Sequence, residues 1–481
     1  MLLAFIFVPL LGAAIMPVLR KVWAKGVTFI SVLVSLYLVG SASWIAYHNW
    51  LGGQNLTLGH WLLGQSLALK VDALSLVVLL SIGLVSLVTA IYSAGFPFDP
   101  ERRPGYNGLL LLAVTGMNGL VMATDLFSVY VFIEIVSISA FILIAFQKDE
   151  IGLEGSFKYL MLSAVATVFL LLGTALLFAI TGNVSFADLA IGVKTGGPIV
   201  QLGFALVVFA FAVKAGMIPF HAWLPDAYTS SPAPVSILLA GIVTKVGGVY
   251  TLIRVVLAVF GVSKSFSGIL LFLGAISTVL GAFLALGQRD FKRMLAFSSI
   301  SQIGYITMGF ATGTPLGLIG AAFHFFNHSV FKSLLFLNAG AVETATGTRD
   351  FDKLGGLASR MPVTGTTSVI GLLSTAGIPP LAGFWSKLII IIALWVAGYH
   401  TYSMIAVLAS VITLGYLLSL QRSVFFGKTR DELAGVKEVA PALYWPALIM
   451  AAITVAVGIF FPFFLDKLIL PVNSLFGLLV K

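Results

Sequence analysis

The chain has 481 residues, 59% of them hydrophobic and only 9% charged, a balance that excludes a water-soluble globular fold because so much apolar surface needs lipid to cover it. Its net charge of +9 comes without a basic recognition helix or an aromatic stacking platform, which excludes nucleic acid as the partner. There is no cysteine, so disulfides, thioether-linked haem and thiolate-bound iron–sulfur clusters are excluded, and no cofactor is expected in this chain.

Apolar stretches of roughly 17 to 25 residues read as membrane-spanning helices. In chain order they are predicted at Leu2–Leu19, Val27–Tyr47, Val71–Ser93, Asn107–Thr124, Leu126–Phe146, Phe157–Thr181 and Pro198–Phe220. Seven more follow at Pro232–Leu257, Phe266–Leu286, Arg293–Ala311, Leu316–Val342, Pro362–Gly398, Tyr402–Phe426 and Tyr444–Leu465, which makes fourteen. A β-barrel would show alternating segments of about ten residues, whereas these runs are continuously apolar, so the predicted fold is an all-α integral membrane protein. The first span has no basic residue before it and is followed by Arg20, Lys21 and Lys25, the reverse of a secretory signal peptide, and is expected to be retained.

The basic residues orient the chain. Seventeen of the 27 fall after odd-numbered spans, Lys158, Lys292 and Arg293 among them, while the other face holds Lys70, Lys194, Arg254, Lys264, Lys467 and Lys481. The positive-inside rule then places the odd loops in the cytoplasm and both termini outside.

Four basic residues remain well inside the predicted spans, away from their ends, and all are lysines: Lys214, Lys245, Lys332 and Lys387. A buried lysine can give up its proton, whereas arginine keeps its charge under nearly any condition. Among the 18 acidic residues Glu134 is the one well inside a span, with no partner nearby in sequence. Five such groups, at roughly 2.5 to 3.5 kcal/mol each in mid-bilayer, would cost on the order of 15 kcal/mol unpaired, so they must face one another or water. Lysine stems can instead snorkel to the interface. Depth argues against that for Lys245 and Lys332, but it stays open for Lys214 and Lys387 beside helix breaks, and a purely structural salt bridge stays open for Glu134.

His324, His328 and Lys332 are spaced four apart, which stacks them on one helix face. Imidazole titrates near neutrality and passes protons between its two nitrogens, so a proton relay is the leading reading. A packing role for either histidine is the alternative. Zinc would need a third ligand, and this span offers no carboxylate or thiolate, so no metal is expected.

The twelfth region, Pro362–Gly398, would be about 55 Å long as one helix, almost twice the hydrocarbon thickness, and must be interrupted. The break is legible in Ala376-Gly-Ile-Pro-Pro-Leu-Ala-Gly383, at Gly377, Pro379 and Pro380, because proline removes a donor and glycine relaxes the backbone. A similar phrase with Gly216 and Pro219 follows Lys214 in the seventh region. The two breaks lie an odd number of spans apart, so two five-span units would run in opposite directions, an inverted repeat of the kind that places ion sites near the bilayer midplane. Two independent proline kinks would be the plainer account. The implied division is an N-terminal three-helix region over 1–106, repeat units over 107–260 and 261–426, and a C-terminal helix and tail over 427–481. No nucleotide-binding loop is present: Gly427-Lys428-Thr429 lacks the glycine required five positions earlier, where Arg422 stands. Energy must come from an ion gradient or a partner.

Several phrases resemble one family, the antiporter-like subunits shared by respiratory complex I, Mrp cation/proton antiporters and energy-converting membrane-bound hydrogenases. They are Thr124-Asp-Leu-Phe-Ser-Val-Tyr-Val-Phe-Ile-Glu134, Lys214-Ala-Gly-Met-Ile-Pro-Phe-His-Ala-Trp-Leu-Pro-Asp226, Pro232-Ala-Pro-Val-Ser236, Lys292-Arg-Met-Leu-Ala-Phe-Ser-Ser299, His328-Ser-Val-Phe-Lys332 and Gly383-Phe-Trp-Ser-Lys387. The resemblance implies fourteen helices, two inverted five-helix units and broken helices seven and twelve. It also implies roles. Glu134 resembles the fifth-helix glutamate that modulates the lysine resembled by Lys214, and Lys245 resembles the connecting lysine of helix eight. His324, His328 and Lys332 resemble the relay of helix eleven, and Lys387 the terminal lysine. The expected function is translocation of H+, or of Na+ against H+, by one subunit of a redox-driven complex in a bacterial or archaeal cytoplasmic membrane. Its partners would be other membrane subunits, further antiporter-like ones included. A subunit of an Mrp-type sodium/proton antiporter is the alternative. A standalone solute carrier fits less well, lacking clustered aromatic and hydrogen-bonding residues at the breaks.

Overall fold

A computed structural model describes residues 2–22, 26–48, 55–61 and 65–478. Lys25 and Lys481 of the charge tally lie outside the described residues, as do positions 49–54 and 62–64. Twelve of the described helices are long and apolar enough to cross a membrane. The all-α expectation needs one correction: Asn55–Trp61 and Gln65–Lys70 pair as a short antiparallel hairpin, with Asn55 opposite Lys70. The local sequence Asn55-Leu-Thr-Leu58 alternates polar and apolar with the period of a strand.

Aspartates start many of the helices. Asp72, Asp125, Asp149 and Asp290 each accept a backbone N–H from the first turn of Ala73–Gly95, Leu126–Ile144, Glu150–Thr181 and Phe291–Ala311 respectively, satisfying a donor that the helix itself leaves open. Asp149 explains why the sixth helix begins at Glu150 rather than at the predicted Phe157.

The interior is helical too. Pro315–Thr346 is buried at every residue from Gly317 to Val342, and Phe291–Ala311 at every residue from Met294 onward. Helices around them turn apolar faces outward: Phe157, Met161, Val168 and Leu172 recur on one exposed face of Glu150–Thr181, as lipid contact requires. Polar residues therefore collect in the centre and apolar ones at the rim. Arg254, counted with the outer face near the end of the predicted span Pro232–Leu257, lies within the helix Ala233–Phe260. Its guanidinium makes two bonds to the Asp72 carboxylate, at 2.6 and 2.7 Å. A partner 182 residues away in sequence is what allows an arginine there.

Both predicted breaks are present. Pro198–Ala215 stops at Gly216 with φ 65°, and the chain resumes as Trp223–Ser230. Pro362–Ala376 stops at Gly377 with φ 85° and resumes as Ala382–Val396. The closures match: Met217 N–H reaches Ala212 O and Ile378 N–H reaches Leu373 O, each at 3.0 Å, the Schellman pattern in which glycine takes the left-handed position. Both breaks carry a cis proline bond, Ile218–Pro219 and Pro379–Pro380.

Matches extend further. Glu150–Thr181 and Pro315–Thr346 both have 32 residues and end on left-handed glycines, Gly182 and Gly347. Leu126 N–H bonds Val184 O and Phe186 N–H bonds Thr124 O; 165 positions on, Phe291 N–H bonds Arg349 O and Phe351 N–H bonds Arg289 O.

Candidate functional site

Lys214 stands in the last turn before the first break, 7% exposed. Its Nζ donates to Ser137 Oγ at 2.8 Å and Ser163 Oγ at 2.5 Å, and lies 3.7 Å from Glu134 Oε1. Glu134 in turn accepts from Thr167 Oγ1 at 2.5 Å. The ammonium thus has three oxygens around it from two neighbouring helices, and the carboxylate is never its only partner.

Lys245 sits on a stretch of wider π turns, Lys245–Tyr250, preceded by another at Leu239–Val243. Such turns shift side chains off the ordinary helical register and are frequent at functional sites. Its Nζ donates to Gly241 O at 2.7 Å and to Ala240 O, capping the helix that carries it. Gly248 lets this helix press on the first break, since a Cβ there would collide with the backbone of Ala215.

The central helix Pro315–Thr346 carries the next three groups. His324 and His328 lie with ring planes 2° apart and centroids separated by 6.2 Å. His324 bonds Ser386 Oγ at 2.9 Å and Gln302 Oε1 at 3.2 Å. Both ring nitrogens of His328 are buried without a protein hydrogen-bond partner, unusual for a group of that polarity. Lys332 donates to Ser298 Oγ at 2.7 Å and Leu295 O at 3.1 Å, and Ser298 pairs with Tyr416 at 2.6 Å. Lys245 is within electrostatic reach of His328 and Lys332.

Lys387 closes the row from beyond the second break. Its stem lies on Gly377, where an added Cβ would meet Lys387 Cδ at 3.0 Å. Its Nζ is 4.7 Å above the Tyr305 ring and 3.4 Å from Ser410 Oγ. Tyr305 also faces His324, with centroids 5.9 Å apart, so ring and hydroxyl contacts join Lys387 to the histidines. Among the described residues, Lys245, Lys332 and Lys387 form no ion pair. They meet carbonyls, hydroxyls and an aromatic face, surroundings that accept either protonation state of an amine.

Sequence reasoning missed the hydroxyls, Ser137, Ser163, Ser298, Ser386 and Tyr305, because single polar residues are common in transmembrane helices and carry no charge signal. It also placed Lys292 in a loop. Lys292 is instead 1% exposed, bonded to Glu343 at 2.7 Å and to Ser231 O at 3.2 Å, and Glu343 also lies 3.5 Å from Arg349. The reason for the error is physical. Lys292 precedes the apolar run, where a solvated interface and a buried ion pair have the same local sequence. Replacing Glu343 with glutamine strands that lysine, and is expected to cost on the order of 3 kcal/mol, read as a lower melting temperature in detergent; an unchanged melting temperature would mean that water reaches Lys292.

With this geometry in view, the comparisons with known proteins converge. The family model described as "NADH:quinone oxidoreductase/Mrp antiporter, TM" matches residues 123–413, from before Glu134 to beyond Lys387. NADH-quinone oxidoreductase subunit N of Desulforudis audaxviator is 35% identical over 72% of this chain and 70% of its own. A Na(+)/H(+) antiporter subunit from Alkalihalophilus pseudofirmus is 31% identical over 89% of this chain and 86% of its own. Among solved structures, a chain of the membrane-bound sulfane sulfur reductase, an archaeal respiratory membrane complex, superposes with a TM-score of 0.90 at 30% identity, covering 100% of this chain and 98% of that one. The chain is a multi-pass membrane protein of the NADH:quinone oxidoreductase/Mrp antiporter transmembrane family.

Proposed function

We propose that the chain moves protons, or sodium against protons, across a bacterial or archaeal cytoplasmic membrane as an antiporter-like subunit of a redox-driven, multisubunit complex. The observation that carries this reading is the row itself: Lys214, Lys245, His324, His328, Lys332 and Lys387, buried on helices that pack on one another, with Glu134 half-buried beside Lys214 and, among the described residues, no carboxylate paired with the other three lysines. Groups this costly in a bilayer mark ion pathways.

The route in this reading enters from the cytoplasm at Lys214 or Lys245, passes Lys332, His328 and His324, and leaves by Lys387. Glu134 tunes Lys214. Its carboxylate lies 3.7 Å from the Lys214 amine, close enough for a movement of Glu134 to change the charge that Lys214 faces. The hydroxyls of Ser137, Ser163, Ser298 and Ser386 supply rotatable donors and acceptors between the fixed bases. No cofactor or metal enters this chain's part. Energy comes from partner subunits.

The architecture that goes with it has fourteen crossings: the twelve apolar helices, the central helix Pro315–Thr346, and the pair Pro362–Ala376 and Ala382–Val396 as one broken span. Two inverted units, within 107–260 and 261–426, account for the twin 32-residue helices, the twin glycine closures and the hydrogen bonds repeated 165 residues apart. The flanking segments are 1–106 and 427–481. Both termini would lie outside.

Similarity to a sodium/proton antiporter subunit over 89% of the chain favours a second reading, a subunit of an Mrp-type antiporter. Vesicles holding the purified assembly and a pH-sensitive dye separate the two. Acidification driven by an electron donor without sodium supports the redox reading. A pH change that needs only added sodium supports the second, and no ion movement in either assay overturns both.

A further inference from the structure

Far from the titratable row, a groove of about 1150 Å³ runs between the helices Ala4–Val22 and Arg103–Met122 and the end of Leu126–Ile144. Its two ends differ chemically. One mouth is lined by Arg20, Lys21, Arg102 and Lys148, with Glu101 as the single carboxylate. Away from that mouth the lining is apolar or small, Leu10, Gly105 and Gly108 among it. A Cβ on Gly105 would touch Phe146 at 3.9 Å and one on Gly108 would touch Ala13 O at 3.7 Å, so a side chain larger than a methyl at either position would intrude on the groove.

Length and charge together identify an occupant. From Leu10 to Arg20 the helix rises about 15 Å, which is half of a hydrocarbon core of about 30 Å. The groove therefore reaches from headgroup level to the middle of the bilayer, the span of one acyl chain in one leaflet. At its mouth four cations outnumber one carboxylate, and they are weakly engaged otherwise. Arg20 lies 3.5 Å from an exposed Glu101, and Arg102 lies 3.9 Å from Asp99 and donates to Gln147 O at 3.4 Å. Lys148 is, among the described residues, the one non-glycine residue with positive φ, at 60°. Left-handed backbone costs roughly 1 to 2 kcal/mol for a residue with a Cβ, a cost that glycine would avoid but that keeps a cation at the mouth.

We propose that this groove is a binding site for an anionic phospholipid, whose phosphate is held by Arg20, Lys21, Arg102 and Lys148 while an acyl chain lies along the floor toward Leu10. Basic pockets between transmembrane helices recognise such headgroups by charge, while the chain contributes apolar burial. The proposal stands apart from the ion-pathway reading, since none of these residues belongs to the row.

The test uses the full chain, purified with the subunits that accompany it and examined by native mass spectrometry in mixed micelles of phosphatidylglycerol and phosphatidylcholine. The wild type is expected to hold phosphatidylglycerol at least tenfold more tightly. Replacing Arg20, Lys21, Arg102 and Lys148 together by glutamine is expected to bring the two lipids within twofold of each other. Gly108→Leu, which keeps every charge but fills the floor, is expected to weaken both, and guards against a four-site variant that fails to fold. Equal retention of the two lipids by the wild type overturns the proposal. So does an undiminished preference in the glutamine variant, or a transmembrane helix of another subunit cross-linking into the groove.

Discussion

Lys214→Ala and Lys387→Ala are each expected to lower ion translocation at least a hundredfold, the scale on which a positioned proton donor or acceptor contributes, while the chain still assembles with its partners. The geometry supports both halves of that expectation. Removing Lys214 does not strand Glu134, whose side chain is about one-third exposed and keeps the Thr167 hydroxyl at 2.5 Å. Removing Lys387 leaves Tyr305 bonded to Ala406 O at 2.5 Å. Arginine at either position makes the sharper test. It preserves charge and much of the volume but cannot release its proton, so Lys387→Arg is expected to be as inactive as the alanine variant. Dye-monitored pumping in vesicles reads the rate, and co-purification of partner subunits reads assembly. Wild-type pumping by the arginine variant would show that position 387 supplies only a fixed charge.

Asp72→Asn is expected to destabilise the chain by about 3 to 5 kcal/mol, the range for breaking a buried pair and leaving its other charge uncompensated. Asp72 is 8% exposed and does two jobs: it caps the helix Ala73–Gly95 through Ser75 N–H at 3.0 Å and holds both arms of Arg254. Burial alone would raise its carboxyl, but the Arg254 guanidinium and the Ser75 N–H outweigh burial and hold it down at about 2, below an ordinary value of 3.8. That difference corresponds to roughly 2 to 3 kcal/mol. Because the folded state binds this proton less tightly than the unfolded state, the stabilisation is fully present above about pH 4 and is lost as pH falls toward 2. Thermal melts in detergent from pH 7 to pH 2 should show the wild type losing stability over that window, and the asparagine variant starting lower and losing less. Equal melting temperatures at pH 7 would overturn the assignment.

What was legible in the sequence follows from the strength of each signal. Long apolar runs, glycine–proline breaks and charges inside spans are large free-energy statements, so the helices, Gly216, Gly377 and the buried lysines could be read directly. Ion pairs whose members lie far apart in sequence could not. Arg254 and Lys292 looked like interface residues because Asp72 and Glu343, which make their burial possible, are invisible to any local window. The hydroxyls around Lys214 and Lys332 were silent for another reason: a serine in a transmembrane helix bonds its own backbone as readily as a neighbour. The hairpin at Asn55–Lys70 was overlooked because it is shorter than any span. The equal length of the two 32-residue helices was hidden because the apolar runs Phe157–Thr181 and Leu316–Val342 leave out the polar turns at 150–156 and 343–346.

The central helix Pro315–Thr346 bears on how the protein is made. It is not among the twelve apolar enough to cross by themselves, because His324, His328 and Lys332 sit midway along it and a single lysine at that depth opposes insertion by roughly 2.5 to 3.5 kcal/mol. Delivered alone, it would meet that penalty in full. In the folded chain it is instead enclosed by other helices from Gly317 to Val342. For this segment the finished protein, rather than lipid, is the solvent, and biogenesis of the helix that bears His324, His328 and Lys332 is tied to the order in which its neighbours emerge.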